Sequence, residues 1–138
     1  MATILVVDDE PDVVEIVRVR LERDGHALIG VTSGAAALTN ALTRPPDLIV
    51  LDLMMPEMDG FEVLRQLKSN PHTANTPVIL LTARADYGAK AQAWERYADH
   101  YITKPFDLDV LAQTVQNALA GPGKTGPESL RAYAPQQS

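Results

Sequence analysis

The chain has 138 residues, 12 Lys+Arg against 18 Asp+Glu, and a formal charge of −6. That length suits one domain, and 46% apolar with 22% charged residues is a globular composition. The absence of cysteine excludes a disulfide scaffold, a thiolate zinc site and a cysteine nucleophile. The acid surplus argues against direct nucleic-acid binding, which runs on Lys and Arg. No apolar run approaches the ~20 residues of a membrane span, and MATILVVDDE lacks the basic start of a signal peptide. The expectation is a cytoplasmic domain without membrane insertion.

In chain order, Ile4 to Val7 is a short β-branched run that reads as a strand. Pro11 to Arg23 reads as a helix with Pro in its first turn, an apolar stripe of Val13, Val14, Ile16, Val17 and Leu21, and Gly25 as its stop. Ala27 to Val31 is a weaker strand, and Ser33 is an N-cap for a helix over Gly34 to Leu42. Leu48 to Leu51 is the third strand. Gly60 to Lys68 carries Phe61, Leu64 and Leu67 at helical spacing. Val78 to Leu81 is the fourth strand, Tyr87 to Arg96 an Ala-rich helix, and Tyr101-Ile102 a weak fifth strand. Asp107 caps a last helix over Leu108 to Leu119. Residues 1–120 are expected to form the domain. Residues 121–138, punctuated by Gly and Pro, are expected to be a flexible tail or linker.

Continuous rather than alternating apolar strands are covered on both faces, as in parallel sheets. Five alternating βα units with right-handed crossovers place helices on both sides. A closed eight-fold barrel needs about 250 residues, so the expected fold is α/β, an open doubly wound parallel sheet. The three histidines, His26, His72 and His100, share no spacing and are expected in loops or at the surface rather than on a metal.

Ligands of such sheets bind beyond the carboxyl ends of the strands. Asp8, Asp9 and Glu10 follow the first strand, Asp52 the third, Thr82 the fourth and Lys104 the fifth. If the first and third strands are neighbours, Asp8, Asp9 and Asp52 converge and require neutralisation. A hard divalent cation such as Mg2+ supplies it. Taken alone, the acidic triplet reads more readily as a capping cluster ahead of a helix, where acids are favoured. Lys suits phosphate as a point charge and Thr offers a hydroxyl donor. Together these groups describe phosphoryl transfer to a carboxylate nucleophile. No GxxxxGK[ST] loop is present and the first βα junction lacks GxGxxG, which argues against a nucleotide triphosphatase and a dinucleotide site.

The segments ILVVDDEP, DLIVLDLMMPEMDGFEVLRQLK, TPVILLTA and DHYITKPF stand in an order and at distances that resemble the receiver domain of bacterial two-component response regulators. The resemblance runs from Thr3 to about Leu119. It implies a flavodoxin-like (βα)5 fold with strand order 2-1-3-4-5. It implies Asp52 as phospho-acceptor and Mg2+ held by Asp9, Asp52 and the backbone carbonyl of Met54, with Asp8 acting mainly through a water. Thr82 and Lys104 would contact the phosphoryl oxygens. The donor would be a phosphohistidine on a sensor kinase or phosphotransfer protein. Thr82 and Tyr101 would shift together and remodel the face formed by the Tyr87 to Arg96 helix, the fifth strand and the last helix. That face would bind a downstream protein, or a second copy in a homodimer. Intrinsic autophosphorylation and autodephosphorylation would be the only chemistry, so the chain is not expected to be an enzyme in its own right.

Pro56, Asp59 and Gly60 have structural roles in this reading. Lys104-Pro105 is either a cis turn or an ordinary trans bond. Two departures from the family pattern stand out: Tyr97 replaces a Gly, and Trp94 a smaller aliphatic residue. Met54 and Arg84, two positions beyond Asp52 and Thr82, flank the route of an attacking water, and Met54 cannot orient it. Slow self-dephosphorylation is therefore expected. The competing functions are a Mg2+-dependent aspartate-nucleophile phosphohydrolase and a phosphorylation-independent assembly module. Met54, where haloacid dehalogenase-like hydrolases have a second Asp, argues against the first. The intact Asp8, Asp9, Asp52, Thr82 and Lys104 argue against the second. After Leu119 only 19 residues remain, too few for an output domain, so the chain either acts by docking or is a receiver cut from a longer regulator.

The charge is local. Residues 1–17 hold Asp8, Asp9, Glu10, Asp12 and Glu15, and residues 45–64 hold Asp47, Asp52, Glu57, Asp59 and Glu62, with no base in either stretch. Those ten acids, of 18, are expected around the two strand ends that meet.

Overall fold

A computed structural model describes residues 1–53, 55, 60–83 and 98–120, with the backbone alone for Thr82 and Ala83. Its strands are β1 (Thr3–Val7), β2 (Ala27–Val31), β3 (Leu48–Asp52), β4 (Val78–Ala83) and β5 (His100–Lys104). Its helices are α1 (Pro11–Arg23), α2 (Gly34–Thr43), α3 (Gly60–Ser69) and α4 (Leu108–Leu119). The expected helix over Tyr87 to Arg96, with Trp94 and Tyr97, lies outside the described residues, as do Met54, Pro56, Asp59, Arg84 and the tail 121–138.

The five strands form one parallel sheet in the order β2-β1-β3-β4-β5. The continuous apolar runs have the predicted cause: all five residues of β3 are buried, because helices cover both faces. Leu5, Val7, Ile49 and Leu51 point to the side of α2 and α3, where Ala37, Ala41, Leu64 and Leu67 meet them. Ile4, Val6, Val50 and Ile79 point to the side of α1 and α4, against Val17, Leu21, Leu111 and Val115. Truncating a fully buried Leu21 or Leu67 to Ala costs about 2–5 kcal/mol.

Local signals end the helices where the sequence suggests. The Ser33 hydroxyl accepts the Ala36 N–H at 3.1 Å, and Asp107 accepts the Asp109 N–H at 2.7 Å. Gly25, just past α1, has φ +100°, the left-handed conformation that favours glycine. The Lys104-Pro105 bond is cis.

Three expectations need correction. Ile16 does not join the core stripe and is 52% exposed, because two residues past Val14 is about 200° around the helix. His100 is not at the surface. It is the first residue of β5 and fully buried, whereas His26 is half-buried and His72 exposed. The fifth strand is also longer than Tyr101-Ile102, because its polar ends pair with β4 through Ile79↔His100 and Ala83↔Lys104. Among the described residues, no helix is long and apolar enough to cross a membrane.

Candidate functional site

The parallel register carries the carboxyl ends of β1 and β3 to one level. Val7 stands opposite Leu51, so the next residues, Asp8 and Asp52, leave the sheet side by side. Both are buried, at 0% and 1% exposure. Asp9 is half-buried and Glu10 exposed. Buried carboxylates are costly unless compensated, and the compensation comes from the far side of the sheet.

Lys104, the last residue of β5, extends its chain back across the strand ends. Its Nζ lies 2.8 Å from Asp8 Oδ2, 3.4 Å from Asp52 Oδ2 and 3.7 Å from Glu10 Oε1. Burial pushes the Lys104 ammonium down, but the hydrogen bond to Asp8 and the charges of Asp52 and Asp8 outweigh it, and the group is held above its usual range. One ammonium thus sits among several acids. The second oxygen of Asp8 accepts the Glu10 N–H at 2.9 Å, which turns the chain sharply into α1.

The triplet leads into α1 as a capping cluster would, with Asp8 accepting a backbone N–H at its start. Glu10 is the N-cap residue, yet its side chain makes no capping hydrogen bond. Asp8, Asp9 and Glu10 also each offer a carboxylate oxygen, all within 4.8 Å of one another. Carboxylate oxygens this close together are donors of the kind that a hard divalent ion takes. Glu10, expected at the strand end but not in the metal set, joins Asp8 and Asp9 in this cluster.

Tyr101 is 3% exposed and packs into the core on the α2 and α3 side, opposite Leu80 of β4. The Thr82 backbone pairs with Thr103; its hydroxyl and the carbonyl of Met54 lie outside the described features. Of the ten acids expected around the site, several serve elsewhere. Glu15 pairs with Arg18, and Asp47 closes the opposite end of the sheet. Glu62 is held at about 2 by hydrogen bonds from Arg65 and Gln66 on α3. Among the described residues, Asp8, Asp9, Glu10 and Asp52 remain at the strand ends and Asp12 stands in the first turn of α1, while Glu57 and Asp59 lie outside the described residues.

Residues 4–116 match the model of the response regulator receiver domain. The chain belongs to that family. It is 42% identical over 119 residues to the transcriptional regulatory protein KdpE of Mycobacterium tuberculosis, a match covering 86% of this chain and 51% of KdpE. The chain thus spans about half the length of the first such relatives. It is also 34% identical to Protein PilH of Pseudomonas aeruginosa over 88% of this chain and all of PilH. Among solved structures, a signal receiver domain of a histidine kinase from Syntrophus aciditrophicus superposes with TM-score 0.81 at 38% identity, covering 88% of this chain and 92% of that one. The response regulator TrrA of Thermotoga maritima, solved in complex with Mg2+-BeF, gives TM-score 0.76 at 33% identity over 86% and 99%. Receivers are signalling switches, and the predicted flavodoxin-like order 2-1-3-4-5 is the one observed.

Proposed function

We propose that the chain is a phosphorylation-controlled switch with Asp52 as its phospho-acceptor. The observation that carries this reading is the single ammonium of Lys104 set between Asp8 and Asp52 at the ends of neighbouring strands. The Asp52 carboxylate attacks the phosphorus of a phosphohistidine on a sensor kinase or phosphotransfer protein. The Oδ–P bond forms, the P–N bond breaks, and the imidazole leaves with the electron pair.

Asp9, Asp52 and the Met54 carbonyl would hold Mg2+, with Asp8 acting through a water. When bound, Mg2+ neutralises the carboxylates and the incoming phosphoryl oxygens. The related TrrA, solved in complex with Mg2+-BeF, supports this assignment. Lys104 then turns from carboxylates to phosphoryl oxygens, a short move for a flexible ammonium. The Thr82 hydroxyl donates to the same oxygens. Its movement opens space toward Tyr101, already buried one strand away, and the two side chains convert chemistry into a change of surface.

That surface would bind a downstream protein or a second copy of the chain, in the cytoplasm. Residues 1–120 form the receiver in this reading, and 121–138 a tail or linker to whatever the receiver controls. Catalysis is confined to the chain's own phosphorylation and dephosphorylation.

The test is incubation with Mg2+ and a small acyl phosphate, read by intact mass. Wild type gains one phosphate and Asp52→Asn gains none. An adduct that survives the substitution refutes the assigned nucleophile. The phosphoryl group is expected to persist well beyond seconds, since Met54 offers no group to orient water.

A further inference from the structure

The structure places an unusual demand on Gly60, the first residue of α3. A Cβ built there would lie 2.5 Å from Leu53 Cα and 3.0 Å from Leu53 O, and closer still to the carbonyl oxygen of Asp52. All three atoms are backbone, so no side-chain rotation could relieve the clash. Gly30 is different, because a Cβ there would meet the side chains of Val14 and Arg18.

The clash falls on the peptide that leaves Asp52. That peptide is held from the other side, since the Leu53 N–H donates to Leu81 O of β4 at 3.0 Å. The next carbonyl, Leu53 O, accepts the Gly60 N–H at 3.1 Å. The peptide thus sits between β4 and the first turn of α3, and the fit admits hydrogen only. The Leu53 side chain is 2% exposed and cannot swing out to make room. Helix α3 is itself anchored by Val63, Leu64 and Leu67, all fully buried.

We propose that Gly60 is a positioning residue for phosphoryl acceptance: by letting α3 rest on the Asp52–Leu53 peptide, it sets where the Asp52 carboxylate stands relative to Asp8 and Lys104. The inference rests on the reading of Asp52 as acceptor. Nucleophile placement matters steeply, with a displacement of about 1 Å costing up to about a hundredfold in rate. Gly60 acts on geometry and touches no phosphoryl group.

The test measures phosphate incorporation in the full chain against acyl phosphate concentration at saturating Mg2+. Gly60→Ala should lower the plateau rate constant about tenfold or more, while the half-saturating donor concentration stays near that of wild type. Gly25→Ala is the matched control. It strains a left-handed residue far from Asp52 with nothing within 4 Å of its Cβ. It should lower the melting temperature without changing the plateau rate. A second variant replaces the Gly60 N–H by an ester oxygen, deleting the bond to Leu53 without adding an atom, and should slow the plateau rate several-fold.

A folded Gly60→Ala protein with the wild-type plateau rate overturns the proposal. So does an equal loss of rate in Gly25→Ala at matched stability. Should Gly60→Ala fail to fold, the ester variant decides alone, and its wild-type rate overturns the proposal. If wild type gains no phosphate, or Asp52→Asn gains it, the acceptor assignment itself fails, and that result is distinct from a Gly60 effect.

Discussion

The two ends of the sheet use the same residue type in opposite ways. At the amino ends of the strands, Asp47 accepts the N–H of Thr3 and Asp99 accepts the N–H of Val78, each at 2.8 Å. Each carboxylate there meets a strand's opening donor, and a cavity of about 710 Å3 between them stays open to water. At the carboxyl ends, Asp8 and Asp52 are buried and look to one ammonium. An acid that satisfies a backbone donor builds structure. Buried acids that share one ammonium concentrate negative charge at the other end, where a cation and a phosphoryl group can use it.

The sharpest way to break this contrast is Lys104→Ala. It leaves two buried carboxylates without their ammonium, and breaking such a pair costs about 3 kcal/mol. Denaturant unfolding without divalent ions should show that loss. Added Mg2+ should raise the melting temperature of the variant more than that of wild type, because an ion that binds the folded state replaces the missing charge. The sign with pH follows from the raised Lys104 ionisation. Its contribution is complete below the usual value of 10.5 and is lost as pH rises above it. Equal Mg2+ effects on the two proteins would mean that Lys104 does not stand in for the metal.

Asp99→Ala tests the other end. It orphans the Val78 N–H at the start of β4, and an unpaired buried donor costs about 1–3 kcal/mol. Stability should fall while the rate of phosphate incorporation stays at the wild-type value. A rate that falls with Asp99→Ala as it does with Lys104→Ala would erase the division of labour between the two ends.

The site was legible because parallel sheets gather strand ends. Once Leu48 to Leu51 reads as a buried strand, an Asp directly after it stands out. What could not be read depends on atoms that the pattern does not carry. Ile16 looks like core beside Val17, but the helical angle turns it outward. The close approach of Gly60 to the Asp52 peptide is a property of two backbones. That Asp47 belongs to the opposite end from Asp52, only five residues away, follows from the length of β3 itself. His100 was misplaced because histidine in a polar segment carries no sign of which strand will cover it.

The smallest expected effect concerns that histidine. Burial holds the His100 imidazole below its usual 6.5, against an opposing pull from Asp99. The folded state therefore binds its proton less readily than the unfolded state. The sign is that stability is complete above about pH 6.5 and declines as pH falls below it, by up to about 1.4 kcal/mol per pH unit for one proton. His100→Phe keeps an apolar ring in the pocket and removes the titration, so the acid slope between about pH 6.5 and 5 should flatten by about one proton. Because His100 heads the strand that ends in Lys104, the variant also probes whether the two ends are coupled. An unchanged Mg2+-dependent shift in melting temperature at pH 7.5 is the expected result. A changed shift would mean that β5 transmits packing along its length and that the two ends are one system.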